Sequence, residues 1–137
     1  MEKYKFLNHT ADMKFQAFGK TIEECFSNAS YALVEIITKD NVKPIIKKEI
    51  KVSGNDKESL LYNFLEEFLF LIDSENFILS KIEKIKVDLK NFIITANLIG
   101  DNIKKYKTIT DIKAITYNEM FIIQEGKNYK CQVVVDV

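Results

Sequence analysis

The sequence predicts an α+β domain in which two amphipathic helices pack on a mainly antiparallel β-sheet. Segments 22–37 and 60–72 carry apolar residues at helical spacing, and apolar and polar residues alternate through several other stretches. The 137 residues are enough for one hydrophobic core, and four glycines with one proline leave little room for linkers. We therefore expect residues 1–137 to form a single domain.

The first predicted elements are two strands followed by a helix. Residues 4–7 have strand composition, and apolar residues alternate with polar ones from Met13 up to Gly19. Thr21, with Glu24 three residues later, forms a capping-box pattern that begins the helix. The apolar face of this helix contains Ile22, Cys25, Phe26, Ala29, Ala32, Leu33, Ile36 and Ile37.

A brief strand and a second helix are predicted next. Ile50 and Val52 indicate the strand, and the helix begins near Asn55 or Asp56 with Glu58 at a capping position. Its wide apolar stripe predicts burial on more than one side, and it ends at 73–74. The stripe contains Leu60, Leu61, Phe64, Leu65, Phe68, Leu69 and Ile72.

The last third of the chain is predicted to form strands. Alternation indicates strands at 85–89, 92–98, 112–123 and 129–137. Lys90-Asn91 supplies the first turn, and residues 125–128 have the composition of a hairpin turn.

Composition excludes several classes of function. The formal net charge is zero and all 20 basic residues are lysine, which argues against sequence-specific nucleic-acid binding because base readout depends heavily on arginine. No stretch has the roughly 20 apolar residues of a membrane span, and residues 1–5 do not resemble a signal peptide, so we expect a cytoplasmic protein. Cys25 and Cys131 lie in apolar patterns typical of buried thiols. Motifs for phosphate loops, dinucleotide binding or nucleophilic catalysis are missing, so no catalytic residue is assigned and no enzyme is predicted.

Acidic residues near the two ends of the chain suggest a metal site. If the first and last strands are neighbours, Asp12, Asp136 and a carboxylate at Val137 converge. Like charges repel at short distance, and a hard cation with oxygen ligands offsets that repulsion. The alternative for Asp136 is a solvated side chain at a frayed end. His9, the one histidine, fits a capping or hydrogen-bonding role better than a ligand role.

Lys113 and Asp111 allow two interpretations. They would form a surface ion pair worth under about 1 kcal/mol. Alternatively, Lys113 would reach the acidic cluster and offer a cation to a phosphate group. Their spacing decides for neither.

Several motifs, taken together, resemble the archease family over the whole chain. They are Phe6 to Asp12 with its His-Thr-Ala-Asp element, the helix entry from Gly19 to Phe26, Leu60 to Leu65, Asp111 to Tyr117, and the closing Val135-Asp136-Val137.

The resemblance implies an accessory protein rather than an enzyme. Archeases activate the tRNA-splicing RNA ligase, which works through a guanylylated histidine; they promote guanylylation and multiple turnover. In the family, the positions of Asp12, Asp136 and Val137 bind a divalent cation seen as calcium, and that of Lys113 is linked to activation. His9 and Asp111 are possible outer contacts of the site. Asn8, where the family usually has an acidic residue, and Asn118, where it usually has histidine, depart from the pattern.

We therefore expect an activator that uses a divalent cation, with calcium favoured and magnesium or manganese as alternatives. One rival is a small metal-dependent hydrolase of nucleotides or phosphoesters. Another is a chaperone-like scaffold for RNA-processing proteins, with a purely structural metal. Sequence leaves the physiological metal, the oligomeric state, the docking surface for the ligase and any direct RNA contact open.

Overall fold

The computed structural model describes residues 2–8 and 12–137. These residues form two long helices and seven strands, which confirms the α+β class. In chain order the elements are β1 (Tyr4–Leu7), β2 (Met13–Gly19), α1 (Ile22–Ile37), β3 (Ile46–Ser53), α2 (Lys57–Glu75), β4 (Phe77–Asp88), β5 (Ile93–Asn102), a 3-10 turn (Ile103–Lys105), β6 (Ala114–Glu125) and β7 (Asn128–Asp136).

The strands form two sheets rather than the single sheet predicted from the sequence. One has the order β1-β2-β7-β6 and the other β3-β5-β4, and every neighbouring pair is antiparallel. Each helix contacts strands of both sheets. The helices therefore connect the two sheets, which explains why α1 is buried around much of its circumference.

Helix α1 begins at the predicted cap. Thr21 has an extended backbone, and its Oγ1 accepts a hydrogen bond from the Glu24 N–H at 3.1 Å. The Glu24 carboxylate accepts from the N–H of Lys20, one residue before the cap, also at 3.1 Å. The first bond satisfies an N–H group that the first turn leaves without a helical partner, and the second fixes the backbone just before the cap.

Helix α2 uses a different capping pair from the predicted one. Asp56 accepts from the Ser59 N–H at 2.7 Å, while Ser59 Oγ accepts from the Asp56 N–H at 3.1 Å. The prediction that Glu58 takes part in this cap was wrong. The partner of a capping residue lies three positions after it, and Glu58 lies only two positions after Asp56. The helix also runs past 73–74 and ends at Asn76, whose φ of 55° is left-handed.

Strand β4 begins eight residues before the predicted strand at 85. Its ladder with β5 shifts register between Leu79 and Lys81 and again between Ile82 and Lys84. Each bulge reverses which residues face the core, so the apolar residues of this segment do not alternate regularly and the strand could not be recognised from its sequence. Strand β3 likewise begins earlier than predicted, at Ile46. Its first residues were missed because exposed lysines obscure the alternation there.

The core lies where the helices meet the sheets. Phe64 of α2 is fully buried, with its ring edge-on to Phe68 at 5.0 Å and stacked near Phe26 at 6.2 Å. Cys25 and Cys131 are both completely buried, as predicted. Among the described residues, no helix is long and apolar enough to cross a membrane.

Candidate metal site at the end of the four-stranded sheet

The inner strand β7 ends beside the start of β2 and the start of β6, at one end of the larger sheet. It pairs with β2 through Met13 and Val135, and with β6 through Ala114 and Asp136. Asp12 directly precedes Met13, and the same register continued by one position sets it opposite Asp136. Directly opposed residues of an antiparallel pair have Cβ atoms about 5 Å apart on the same face. The two carboxylates therefore belong to one small region of the surface.

Lys113 joins this region through its backbone. Its N–H donates to the Asp136 carbonyl oxygen at 2.8 Å, which fixes the entry of β6 against the end of β7. The Lys113 side chain is exposed, and within the described part of the chain it forms no ion pair with Asp111 or any other carboxylate. Its ammonium group is therefore available to a partner.

Asp111 lies in different surroundings. It is exposed and lines a cavity of about 180 Å³ together with Asp73, Thr110 and Ile112, next to the last turn of α2. The position of His9, like those of Thr10 and Ala11, lies outside the described residues.

The donor chemistry at the end of β7 fits a hard cation. Asp12 is half-buried, Asp136 is exposed, and Val137 beside it is half-buried with main-chain oxygens within the same region. In the described ranges 2–8 and 12–137, no three His, Cys, Asp or Glu side chains lie close enough together to hold a metal ion by themselves. A cation there would use two carboxylates, main-chain oxygen and water, a set that suits calcium or magnesium rather than zinc.

A polar network on the outer face of the sheet holds this end of β7, and sequence reasoning missed it. Gln16 and Gln132 share a side-chain hydrogen bond of 2.9 Å, and Gln132 also donates to the Glu119 carbonyl oxygen at 2.8 Å. Lys14 forms an ion pair with the Glu119 carboxylate at 3.4 Å. The polar alternation of β2 and β7 was visible, but only the register shows which residues pair.

An exposed aromatic pair lies farther along β6. Tyr117 stacks on Tyr62 of α2, with ring centroids 4.3 Å apart, where the ladder between β6 and β7 is interrupted after Thr116. Burial is the main cause that raises the pKa of both phenols. No sequence signal joins these two residues, because they belong to different elements.

A cavity of about 470 Å³ lies away from the acidic pair. It lies between β1, the end of α1 and β4, and its lining includes Lys3, Tyr31 and Lys39. The Tyr4 hydroxyl donates to the Glu35 carboxylate there at 3.0 Å. Burial, followed by this bond, raises the pKa of Tyr4 to about 12.

Sequence comparisons match this chain to archease proteins over nearly its full length. The model of the archease protein family (MTH1598/TM1083) matches residues 4–137. Protein archease of Methanosarcina barkeri is 37% identical over 141 residues, which cover 99% of this chain and 97% of the relative. The archease-like protein of Drosophila melanogaster is 38% identical, with 98% and 90% covered.

Two solved structures have a similar fold. The solution structure of Methanobacterium thermoautotrophicum protein 1598 superposes with a TM-score of 0.84 at 32% identity and covers 100% of both chains. The crystal structure of a Thermotoga maritima archease, described as a possible chaperone, gives a TM-score of 0.67 at 22% identity, with 97% and 96% covered. At that identity the second likeness concerns the fold alone.

Proposed function

This chain belongs to the archease family, and we propose that it is an accessory activator of the tRNA-splicing RNA ligase that works through a guanylylated histidine. The observation that carries the proposal is the meeting of Asp12, Asp136 and Lys113 at one end of the four-stranded sheet. That region combines two carboxylates with a lysine whose side chain is open to a partner. We expect this end to promote guanylylation of the ligase and its multiple turnover.

In this proposal the acidic pair holds a divalent cation, with calcium favoured and magnesium or manganese as alternatives. Asp12 and Asp136 would supply carboxylate oxygens, and Val137 a main-chain oxygen. A bound divalent ion neutralises charge on phosphate oxygens, which is central to nucleotidyl transfer. Lys113 contributes a separate positive charge, positioned by its backbone bond to Asp136, for a nucleotide phosphate or a carboxylate of the ligase.

The test is single-turnover guanylylation of the cognate ligase with and without this protein. We expect the wild type to stimulate the reaction, and Asp12→Ala, Asp136→Ala and Lys113→Ala each to lose most of that stimulation with the fold retained. Lys127→Ala is a matched control, because Lys127 is an exposed lysine in the turn at the opposite end of the β6-β7 hairpin. Equal stimulation by all of these proteins would rule the site out.

A chaperone-like scaffold is the second candidate, favoured by the description of the Thermotoga maritima relative as a possible chaperone. Ile45 and Ile109 are large apolar side chains that are more than half exposed. If the acidic pair were purely structural, Asp12→Asn would lower the melting temperature and the stimulation together. Our proposal predicts loss of stimulation at an unchanged melting temperature when melting is measured without added divalent cation. A hydrolase would instead turn over nucleotides or phosphoesters without the ligase, and we expect the purified protein to show no such turnover.

A further inference from the structure

A stacked aromatic pair lies on the surface between α2 and β6. The planes of Tyr62 and Tyr117 are 10° from parallel, and Tyr117 is 54% exposed while Tyr62 is half-buried. Tyr62 therefore supports part of the Tyr117 ring, and the remainder stays open to solvent. Aromatic side chains that are already held in place bind partners at low cost in conformational entropy.

The backbone beneath Tyr117 is shaped to present it. The ladder of the edge strand β6 breaks between Thr116 and Phe121, and Glu119 has a φ of 54°, which is unfavourable for a residue with a side chain. Thr116 Oγ1 donates to the Val134 carbonyl oxygen at 2.7 Å and accepts from the Asn118 N–H at 3.3 Å. Bulges of this kind redirect side chains, often beside functional sites.

The charges around the two rings are acidic. After burial, the groups that raise the pKa of Tyr117 are Asp56 and then Glu66, and Glu66 acts on Tyr62 in the same direction. Asp56 is held in place by its capping bond to Ser59. Glu66 follows Tyr62 by one turn of α2, and within the described residues neither Asp56 nor Glu66 forms an ion pair. This aromatic-acidic surface, defined by Tyr62, Tyr117, Asp56 and Glu66, thus combines open ring area with unneutralised negative charge.

We propose that the aromatic-acidic surface binds an arginine side chain of the protein that this chain activates, an inference that rests on the proposed function. A guanidinium group is planar and weakly hydrated, so it can lie flat on an aromatic ring while it donates to a carboxylate. The chain contains no arginine, so a second copy cannot supply the group. Negative charge at the same place disfavours the phosphate backbone of RNA.

The position of the surface supports a shared partner with the acidic pair. Ala114 pairs with Asp136, and Tyr117 follows it by three residues along β6. At a strand rise of about 3.3 Å per residue, the two regions are about 10 Å apart along the strand. Residues three positions apart on a strand point to opposite faces, so a partner that covers the acidic pair reaches Tyr117 by extending over the edge strand β6.

The surface is tested without the ligase by nuclear magnetic resonance. Labelled protein is titrated with N-acetylarginine amide, N-acetyllysine amide or GMP. We expect the arginine compound to shift the ring resonances of Tyr62 and Tyr117 more than the other two do. Glu66→Gln should reduce these shifts, whereas Glu125→Gln, which neutralises an exposed carboxylate at the end of β6, should not. Equal shifts from lysine, larger shifts from GMP, or no shifts would overturn the proposal.

The same surface is tested with the ligase through the concentration that gives half-maximal guanylylation. Tyr117→Ala should raise that concentration roughly tenfold, the effect of losing an interfacial aromatic anchor, and should keep the plateau. Tyr117→Phe retains the ring and should behave as wild type. Phe70→Ala is the control, since Phe70 is also 54% exposed and lies on α2.

These outcomes separate the two proposals. Asp12→Ala should lower the plateau, whereas Tyr117→Ala should change only the concentration required. A wild type that fails to stimulate the ligase refutes the proposed function, and the titration still decides whether the surface binds arginine. A Tyr117→Ala protein with wild-type melting temperature and an unchanged half-maximal concentration refutes the role of the surface.

Discussion

Replacing Phe64 by alanine tests whether α2 carries the shared core of the two sheets. The Phe64 side chain is fully buried, with Phe68 edge-on at 5.0 Å and Phe26 at 6.2 Å. Truncating a buried phenylalanine costs about 3–5 kcal/mol, because the loss of transfer free energy adds to that of the cavity. We expect a cost near the upper end, since contacts of α2 with both sheets limit how far the cavity can collapse.

That cost converts into a measurable change in melting temperature. At about 2.1 cal/mol/K per residue, the 137 residues have an unfolding entropy of roughly 290 cal/mol/K, so Phe64→Ala should melt about 10–17 °C lower. Phe70→Ala on the same helix removes the same atoms from a 54% exposed position and should change the melting temperature by less than about 2 °C. Thermal and urea unfolding followed by circular dichroism provide the measurement. Similar losses for the two variants would refute the layered arrangement of helices and sheets.

Two further predictions concern metal and pH. If the acidic pair binds calcium, adding the ion at a hundred times its Kd should stabilise the protein by about 2.7 kcal/mol, or roughly 9 °C by scanning calorimetry. Asp136→Asn should abolish that shift and the exposed control Asp73→Asn should retain it; a shift retained by Asp136→Asn would exclude the site. The hydrogen bond from Tyr106 to Asp101, at 2.5 Å, is the main cause that lowers the pKa of Asp101 below its usual 3.8. A lowered folded-state pKa means that the stabilisation is full above 3.8 and is lost as the pH falls through the folded value. Unfolding at decreasing pH should therefore show a smaller acid-induced loss of stability in Asp101→Asn than in wild type, and parallel losses would contradict this assignment.

Local signals in the sequence predicted most elements, whereas pairing between distant segments was out of reach. The cap at Thr21 and the turn at 125–128 each depend on a few neighbouring residues, and both occur as expected. The beginning of β4 was missed because its bulges reverse the alternation. The division into two sheets depends on which strands pair, and apolar alternation looks the same in either sheet.

The candidate site could be predicted only in part, because local sequence patterns reveal single residues but not contacts between distant segments. Asp12 and Asp136 stood out because they interrupt or terminate apolar alternation, and the pairing of β2 with β7 places them at one sheet end. Their proposed role as ligands stays a prediction. The contact between Tyr62 and Tyr117 joins residues of two elements, so periodicity within either segment could not reveal it.

The pairing of β2 with β7 also constrains the order of folding. Gln16 and Gln132, which bond across these strands, are 116 positions apart, whereas the sheet β3-β5-β4 and helix α2 all fall within residues 46–102. Closing the longer loop costs more chain entropy, so local contacts form sooner than distant ones. A ribosome-bound chain thus contains the smaller sheet before β7 emerges, and any activity that needs Asp12 beside Asp136 arises only after β2 and β7 have paired.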